Sequence, residues 1–516
     1  MSADADALLP AVSVNPTATQ ISDLLFLKLA DLGMELNTVG DSGFVPRLAR
    51  RWLFQDSLTL VFVLDERARW QDGVPVTAQD VAFTFDLYRD PLIASPARPL
   101  LDAIASVTAR DEHTVVFTFR RHYAEQFYDA TNHMRILPRH LLDSIPRGRM
   151  SIHPFTRQPV GDGPYRLARW RSGESIELSA DTTFALGRAG IARLVWSITP
   201  DPSVGVTRLQ SGEADVMDLV GSPEQISRAE EIPGVQLIRH PTSAYIFLSF
   251  NLRNGDKAAE AHPLFGSRDL RRALTQALDR RAIVKATLGA YGEVPVGPAP
   301  RLSAPGRDTT VPGLPFDSAA ARMELKRLGW VDRGHGALER SGRRLEFELL
   351  VPSSSRIRRD AAELIQDQLR RLGVQVNVVP LEFNAFQDRL TARRFDAAMV
   401  GWNDDPTPSS IQQTFTTKAR HGVNYGAYVN SEFDHLVQAA IESPTPAAAL
   451  ARWKAAYAEI NADAPGIWLA TPTAVTAVHR RFRNVTVRPD EWSATMWTWQ
   501  LDPAQAIARD AVASKR

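Results

Sequence analysis

Along the first quarter of the chain the apolar positions follow a period of two. Leu58-Thr59-Leu60-Val61-Phe62-Val63-Leu64 predicts a strand, and Trp70-Gln71-Asp72-Gly73-Val74-Pro75-Val76 follows it with a tight-turn signal at Asp72-Gly73. Val115-Val116-Phe117-Thr118-Phe119 predicts a further strand. Between them, Thr77 and Asp80 form a capping box ahead of Val81, Phe85 and Tyr88, which are spaced for one face of a helix. Upstream, Ile21 to Leu32 has helical spacing and predicts a helix. Gly161 and Gly163, set between Pro159 and Pro164, fix an irregular backbone before a strand that starts at Tyr165. Leu209 to Met217 predicts a helix end with Gly212 at its C-cap and then a strand, and Tyr245 to Asn251 predicts another strand.

The second half alternates more regularly. Ser267 caps a helix that carries Leu270, Ala273, Leu274, Ala277 and Leu278. From Leu345 the order is strand (to Val351), helix (about Arg356 to Leu372, stopped by Gly373), strand (Val374, Val376, Val378), short helix (Asn384 to Ala392) and strand (Phe395 to Val400). Such alternation predicts crossover units on a largely parallel or mixed sheet. Helices around Glu432 to Ile441 and Ala448 to Ile460, and a strand at Ile467 to Ala470, complete the pattern.

One corner of that pattern carries candidate chemistry. Ala397 to Val400 suits a strand covered on both faces, whereas Gly401 and Pro406 punctuate the chain and turn it outward. In a parallel sheet this places Gly401, Trp402, Asn403 and Asp405 at a strand's carboxyl end, where open α/β sheets bind ligands, and Ser353-Ser354-Ser355 at the end of another. A carboxylate beside an indole suits an organic cation: Asp supplies the opposite charge, and Trp supplies an apolar wall and a π face. A solvated loop with a chance Trp is the competing local reading.

Composition narrows the class. The 516 residues suggest roughly three domains on the usual 150-residue scale. A hydrophobic share of 44%, a charged share of 23% and a net charge of +1 describe an ordinary globular protein. Seven of the 60 basic residues are Lys, and the arginines are scattered rather than clustered, so nothing points to nucleic acid. The chain has no Cys, which excludes disulfides, a thiol nucleophile and Cys-ligated metal. Its 11 His are dispersed without metal-ligand spacing, so no protein-ligated metal and no cofactor are expected; a metal held through an organic chelator stays open. No apolar run is long enough to span a membrane, and Met1 to Ala7 lacks the features of a secretory signal, which fits a cytosolic protein or a start that has been trimmed.

An enzyme is one alternative, since Asp404 and Asp405 are paired carboxylates that a hydrolase would use as general acid and base. Adjacent residues in an extended chain face opposite sides, which assigns Asp404 a solvated or structural place. The chain contains no Gly-x-Ser-x-Gly, Ser-x-x-Lys or His-Glu-x-x-His motif. A cytosolic sensor is a second alternative; residues 1 to 40 are too short and too apolar for a basic helix-turn-helix module.

Several segments, taken in order, resemble the peptide/nickel family of extracytoplasmic solute-binding proteins that serve ABC importers. They are Trp70 to Val81, Val160 to Tyr165, Phe250-Asn251, the Arg268 to Ile283 helix with Arg271-Arg272-Ala273-Leu274 and Asp279-Arg280, the Gly401-Trp402 corner, and Asn430-Ser431-Glu432-Phe433-Asp434. The resemblance implies an α/β, two-lobed periplasmic-binding-protein-like fold of class II type with an additional α/β subdomain in the first lobe. It places a discontinuous lobe I at 1–44, 160–250 and 480–516, the inserted subdomain at 45–159 and lobe II at 251–479. It implies a monomeric, non-enzymatic periplasmic protein that captures a small peptide or other organic solute between its lobes and delivers it to the ABC permease subunits in the membrane, with no nucleic-acid partner. Asp405 matches the family acid that receives a peptide's α-ammonium, and Trp402 the adjacent pocket aromatic. The chain departs from the dipeptide binders after Val351, where Pro352 and serines stand in place of an arginine for the ligand carboxylate; Arg356 or Arg359 are the substitutes in reach. Tyr245, at the start of its strand, is either a pocket residue or core. An opine, an oligosaccharide or a metal chelate remains an alternative ligand.

Overall fold

The structure, a computed structural model, describes residues 3–220, 223–255, 257–299, 301–334, 336–508 and 510; residues 1, 2, 221, 222, 509 and 511–516 of the expected lobe I and 256, 300 and 335 of the expected lobe II lie outside this set. The chain divides into two compact units, one of Met1–Leu219, Glu224–His240 and Val475–Arg516, the other of Val220–Pro223 and Pro241–Ala474.

In the first unit, Ala49–Asp56, Thr59–Leu64, Thr114–Phe119 and Ile104–Ala109 form an antiparallel sheet in that order. The Asp72-Gly73 turn closes as its composition predicts: the Gly73 N–H donates to the Trp70 carbonyl, and Gly73 takes a φ of +93°, which costs little without a Cβ. Helix Ala78–Arg89 starts at the capping box, where Asp80 Oδ2 accepts the Thr77 N–H at 2.8 Å. The other Asp80 oxygen accepts the Arg139 N–H at 2.9 Å, so one carboxylate serves the cap and a tertiary contact. Tyr165–Arg171, Ser175–Ala180 and Arg193–Ser197 form a second antiparallel sheet. Val216–Val220 and Val235–Pro241 pair with the long Gly466–His479 strand, which belongs to this unit from Val475 onward.

The helix expected over Ile21 to Leu32 is displaced. It runs Pro16–Leu25, begun by Asn15, whose side chain accepts the Thr17 N–H, and by Pro16 at the first position. Its end is set by tertiary partners rather than by spacing. Asp162 Oδ1 accepts the Leu27 N–H at 2.8 Å, the Gly163 N–H donates to the Leu25 carbonyl at 2.8 Å, and the Ile136 N–H donates to the Leu27 carbonyl. These bonds draw the backbone out of the helix. They also explain the glycines around Asp162: a Cβ on Gly161 would lie 1.9 Å from the Leu25 carbonyl oxygen. Beyond this point a buried ion network ties the segment down, with Arg135 on Asp23 at 2.7 Å, Arg47 on Asp31 at 2.6 Å and Arg488 on Asp490 at 2.7 Å. Burial alone would raise Asp31, but Arg47, Arg488 and Lys28 hold it down at about 2.

The second unit is built on a mixed sheet whose strands lie in the order Gly466–His479, Ala244–Phe250, Ala397–Asn403, Glu346–Pro352, Gln375–Leu381. Glu346–Pro352 is parallel to both Gln375–Leu381 and Ala397–Asn403, as the strand-helix alternation predicts. Ala244–Phe250 runs antiparallel to both of its neighbours. One face packs Ile246, Leu248, Leu349, Val351, Ala397 and Met399 against Ala361, Ala362, Ile365 and Leu369 of helix Arg356–Arg370. Ser267 caps helix Arg268–Ala277 as expected. That helix carries Arg271, buried at 4% exposure, which donates to the carbonyls of Phe265, Asp463 and Ala464 and to Asp463 Oδ1. It thereby satisfies the C-terminal end of helix Pro446–Asp463.

Candidate ligand-binding site

Strand Ala397–Asn403 delivers the corner. Its first four residues are buried, and exposure begins at Gly401, where the apolar run stops. Pairing with Ala244–Phe250 sets Tyr245 opposite Trp402, Ile246 opposite Gly401 and Phe247 opposite Val400. Opposed residues share a face, so Tyr245, Phe247, Val400 and Trp402 lie on one side, and Ile246, Leu248, Met399 and Gly401 on the side that meets the Arg356–Arg370 helix. Because the neighbouring Glu346–Pro352 strand is parallel, its carboxyl end and the turn through Ser353 and Ser354 lie at the same sheet edge as Trp402.

Trp402 is half-buried and stacks on Tyr425, with ring centroids 5.9 Å apart and planes 17° from parallel. Both line a recess with Phe247, Phe415, Tyr428 and the polar side chain of Thr414. The recess is shallow and open to solvent, and its enclosed space of about 10 Å³ is that of roughly one water molecule. Its wall is held by Asn424, whose amide donates to the Thr416 and Tyr428 carbonyls and whose Oδ1 accepts the Tyr428 N–H.

The remaining expected residues divide into two groups. Asn403 and Asp405 are exposed on the same corner, and Tyr245 is completely buried directly across from Trp402. Ser354 is exposed in the turn after Pro352, and Arg356 is exposed at the first position of its helix, 3.5 Å from Asp360. The last two are surface residues of the neighbouring strand end, apart from the Tyr245–Trp402 pair.

Two residues of the corner were not among the expected ligand-binding residues. Asp404 is the half-buried acid of the pair, which is the structural one of its two expected places, and Asp405 is the exposed one. Its N–H donates to the Ser243 carbonyl at 3.1 Å, which continues the strand pairing and carries its side chain to the Tyr245 side. Burial and then the Asp405 charge push Asp404 up to about 7, against the hydrogen-bonding influence of Ser410 and Tyr245. Asp404 Oδ2 and the Tyr245 hydroxyl are both enclosed and within each other's influence, yet neither makes a hydrogen bond of regular geometry. The alternation that separates Asp404 from Asp405 was legible; which of the two faces inward depends on the partner strand. Arg358, in the first turn of its helix, is half-buried and reaches the Met399 carbonyl at 3.4 Å beside Gly401. Burial lowers its pKa. Among the described residues, no group of three or more His, Asp or Glu is placed to hold a metal.

Residues 43–422 match the family model of bacterial extracellular solute-binding proteins, family 5 Middle. The chain belongs to this family. Among its relatives is the oligopeptide-binding protein AppA of Bacillus subtilis, 26% identical over 438 residues that cover 84% of this chain and 79% of that one. The dipeptide-binding protein of Escherichia coli is 26% identical over 478 residues, covering 87% and 85%. AppA in complex with a nonapeptide superposes with a TM-score of 0.74 at 24% identity over 96% of both chains. The substrate-binding protein CtaP of Listeria monocytogenes superposes at 0.84, with 22% identity and 97% and 98% coverage.

As a family 5 solute-binding protein, the chain has the α/β two-lobed fold that the resemblance implied. Its function is solute binding in the service of an ABC transporter. Members of the family are extracellular binding proteins, and among the described residues no helix is long and apolar enough to cross a membrane.

Proposed function

We propose that this protein captures a peptide, or a peptide-like organic solute with a free ammonium group, and hands it to the permease subunits of its importer. The observation that carries this reading is the state of the two acids at the corner: neither Asp404 nor Asp405 has an ion-pair partner among the described residues, although Asp23, Asp31, Asp463 and many others are paired with Arg. A carboxylate beside an aromatic wall, left without a protein cation, suits a cationic ligand group. In this reading Asp405 accepts the ammonium, Trp402 packs on the adjoining chain, Gly401 and Asn403 offer backbone and amide groups, and Tyr245 supports the corner from behind. Arg356, with Ser354, is the candidate for a carboxylate at the solute's other end.

The protein acts by binding without catalysis, as a periplasmic monomer without a cofactor or nucleic-acid partner. A ligand of two to nine residues is compatible with the relatives named for dipeptides and oligopeptides. Native mass spectrometry of the purified protein, followed by thermal-shift screening against peptides, sugars, opines and metal chelates, tests the reading. A co-purifying peptide, or stabilisation that grows with peptide concentration as linkage requires, is the expected result. Stabilisation by a sugar or chelate alone would remove the ammonium role from Asp405, and turnover of any candidate would overturn the binding-only reading.

A further inference from the structure

The two carboxylates of the corner stand in unlike settings. Asp405 is exposed, whereas Asp404 is half-buried with Oδ2 enclosed. The groups acting on Asp404 are Asp405 beside it, Tyr245 from the Ala244–Phe250 strand and Ser410 from the following turn. Tyr245 is in turn influenced by Thr414 of helix Ile411–Phe415 and Tyr457 of helix Pro446–Asp463, and burial pushes its hydroxyl far above neutrality, so it does not titrate with the acid. Arg358, on the opposite face of the sheet, reaches the Met399 carbonyl. Burial and the Asp405 charge together bring Asp404 to about 7, and near neutrality it is divided between its two forms.

We propose that Asp404 is the proton-coupled partner of the ligand-binding acid: when a solute's ammonium group settles on Asp405, Asp404 gives up its proton to solvent. This rests on the reading of Asp405 as the ammonium acceptor. The physical basis is reciprocal. The Asp405 charge disfavours ionised Asp404, because adjacent like charges repel. A cation on Asp405 cancels that repulsion and adds an attraction of its own. The O–H bond of Asp404 breaks, its electron pair stays on the carboxylate, and the proton passes to water; one positive charge enters the site as another leaves. No direct contact between Asp404 and the ligand is required.

Binding then favours the ionised acid, so affinity rises as pH increases through the titration of Asp404. If the bound acid titrates one unit lower than the free one, about half a proton is released per ligand at pH 6.5, and affinity is about fourfold higher at pH 7.0 than at pH 5.5. Over this range a peptide's amino terminus stays predominantly charged. A neutral solute gains nothing from the coupling, which makes Asp404 a determinant of selectivity for cations.

The test is calorimetry at pH 6.5 in two buffers of different ionisation heat, with an equimolar pool of tri- to hexapeptides bearing free amino termini and the same pool N-acetylated. Wild-type protein is expected to release about half a proton with the free pool, and Asp404→Asn to release none and to lose the pH slope. Binding of the free pool without proton release, or equal release from Asp404→Asn, would overturn the coupling and leave the ammonium reading standing. Equal binding of the acetylated pool, or no binding of either, would overturn the ammonium reading and the coupling with it. The wild-type proton count involves no substitution and decides the matter even where the variant misfolds.

Discussion

Replacing Asp404 by Asn provides a test of the corner that needs no ligand. Burial and the neighbouring Asp405 raise the Asp404 pKa from 3.8 to about 7 in the folded protein, while in the unfolded chain it returns to about 3.9. The folded state therefore binds more protons than the unfolded state between these values, and stability falls as pH rises through that window. The penalty on the folded wild type is about 1.5 kcal/mol at pH 5 and about 4 kcal/mol at pH 8. Asp404 is partly exposed, and solvent screening brings the pH-dependent part nearer to 2 kcal/mol. Asn has the same shape, stays neutral throughout and can still meet Tyr245 and Ser410. Asp404→Asn should accordingly match wild type to within about 1 kcal/mol at pH 5 and exceed it by about 2 kcal/mol more at pH 8. Urea unfolding by circular dichroism at pH 5, 6, 7 and 8 reads the difference. Glu491, raised to about 7, and Asp218, raised to about 6, contribute their own pH dependence, but equally to both proteins. A stability difference that is constant with pH, or that favours wild type at pH 8, would refute the burial argument for Asp404.

Asp405→Asn should weaken ammonium-bearing ligands by about 1–3 kcal/mol through loss of a charge-assisted hydrogen bond, with an unchanged melting temperature; unchanged affinity in calorimetry would remove Asp405 from the site. Arg271→Met should cost about 3–5 kcal/mol in urea unfolding, because it leaves the Asp463 carboxylate and three main-chain carbonyls without their shared buried donor. Gly161→Ala should lower the melting temperature sharply or abolish soluble expression, since its Cβ would meet the Leu25 carbonyl backbone at 1.9 Å; a wild-type melting curve would contradict that geometry.

The reach of the sequence differed from one element to the next for identifiable reasons. Helix Ala78–Arg89 starts where Thr77 and Asp80 predict, because a capping box is a contact between residues three apart. The parallel strands around Ala397–Asn403 follow from the alternation of strands and helices, which is also local. Helix Pro16–Leu25 stops well before Leu32 because Asp162, Gly163 and Ile136, more than a hundred residues away, claim the backbone at Leu25 and Leu27. No periodicity within residues 21–32 contains that information.

The site divides in the same way. Gly401, Trp402 and the acids were legible as an interrupted apolar run, and their order along the chain matched the family. Local sequence could also separate Asp404 from Asp405, since consecutive residues of an extended chain point to opposite sides. It could not say which acid is buried, because that depends on the register with Ala244–Phe250, where Tyr245 stands opposite Trp402 and so meets Asp404. Arg358 is a further case: helical spacing alone does not distinguish it from Arg356 or Arg359, and packing against Met399 and Gly401 makes it the half-buried one. Sequence by itself determined the residue types, the element types and the family. Tertiary structure decided which groups lose water and which charges are left without a partner, because desolvation and pairing arise between segments that are distant in the chain and adjacent only once it has folded.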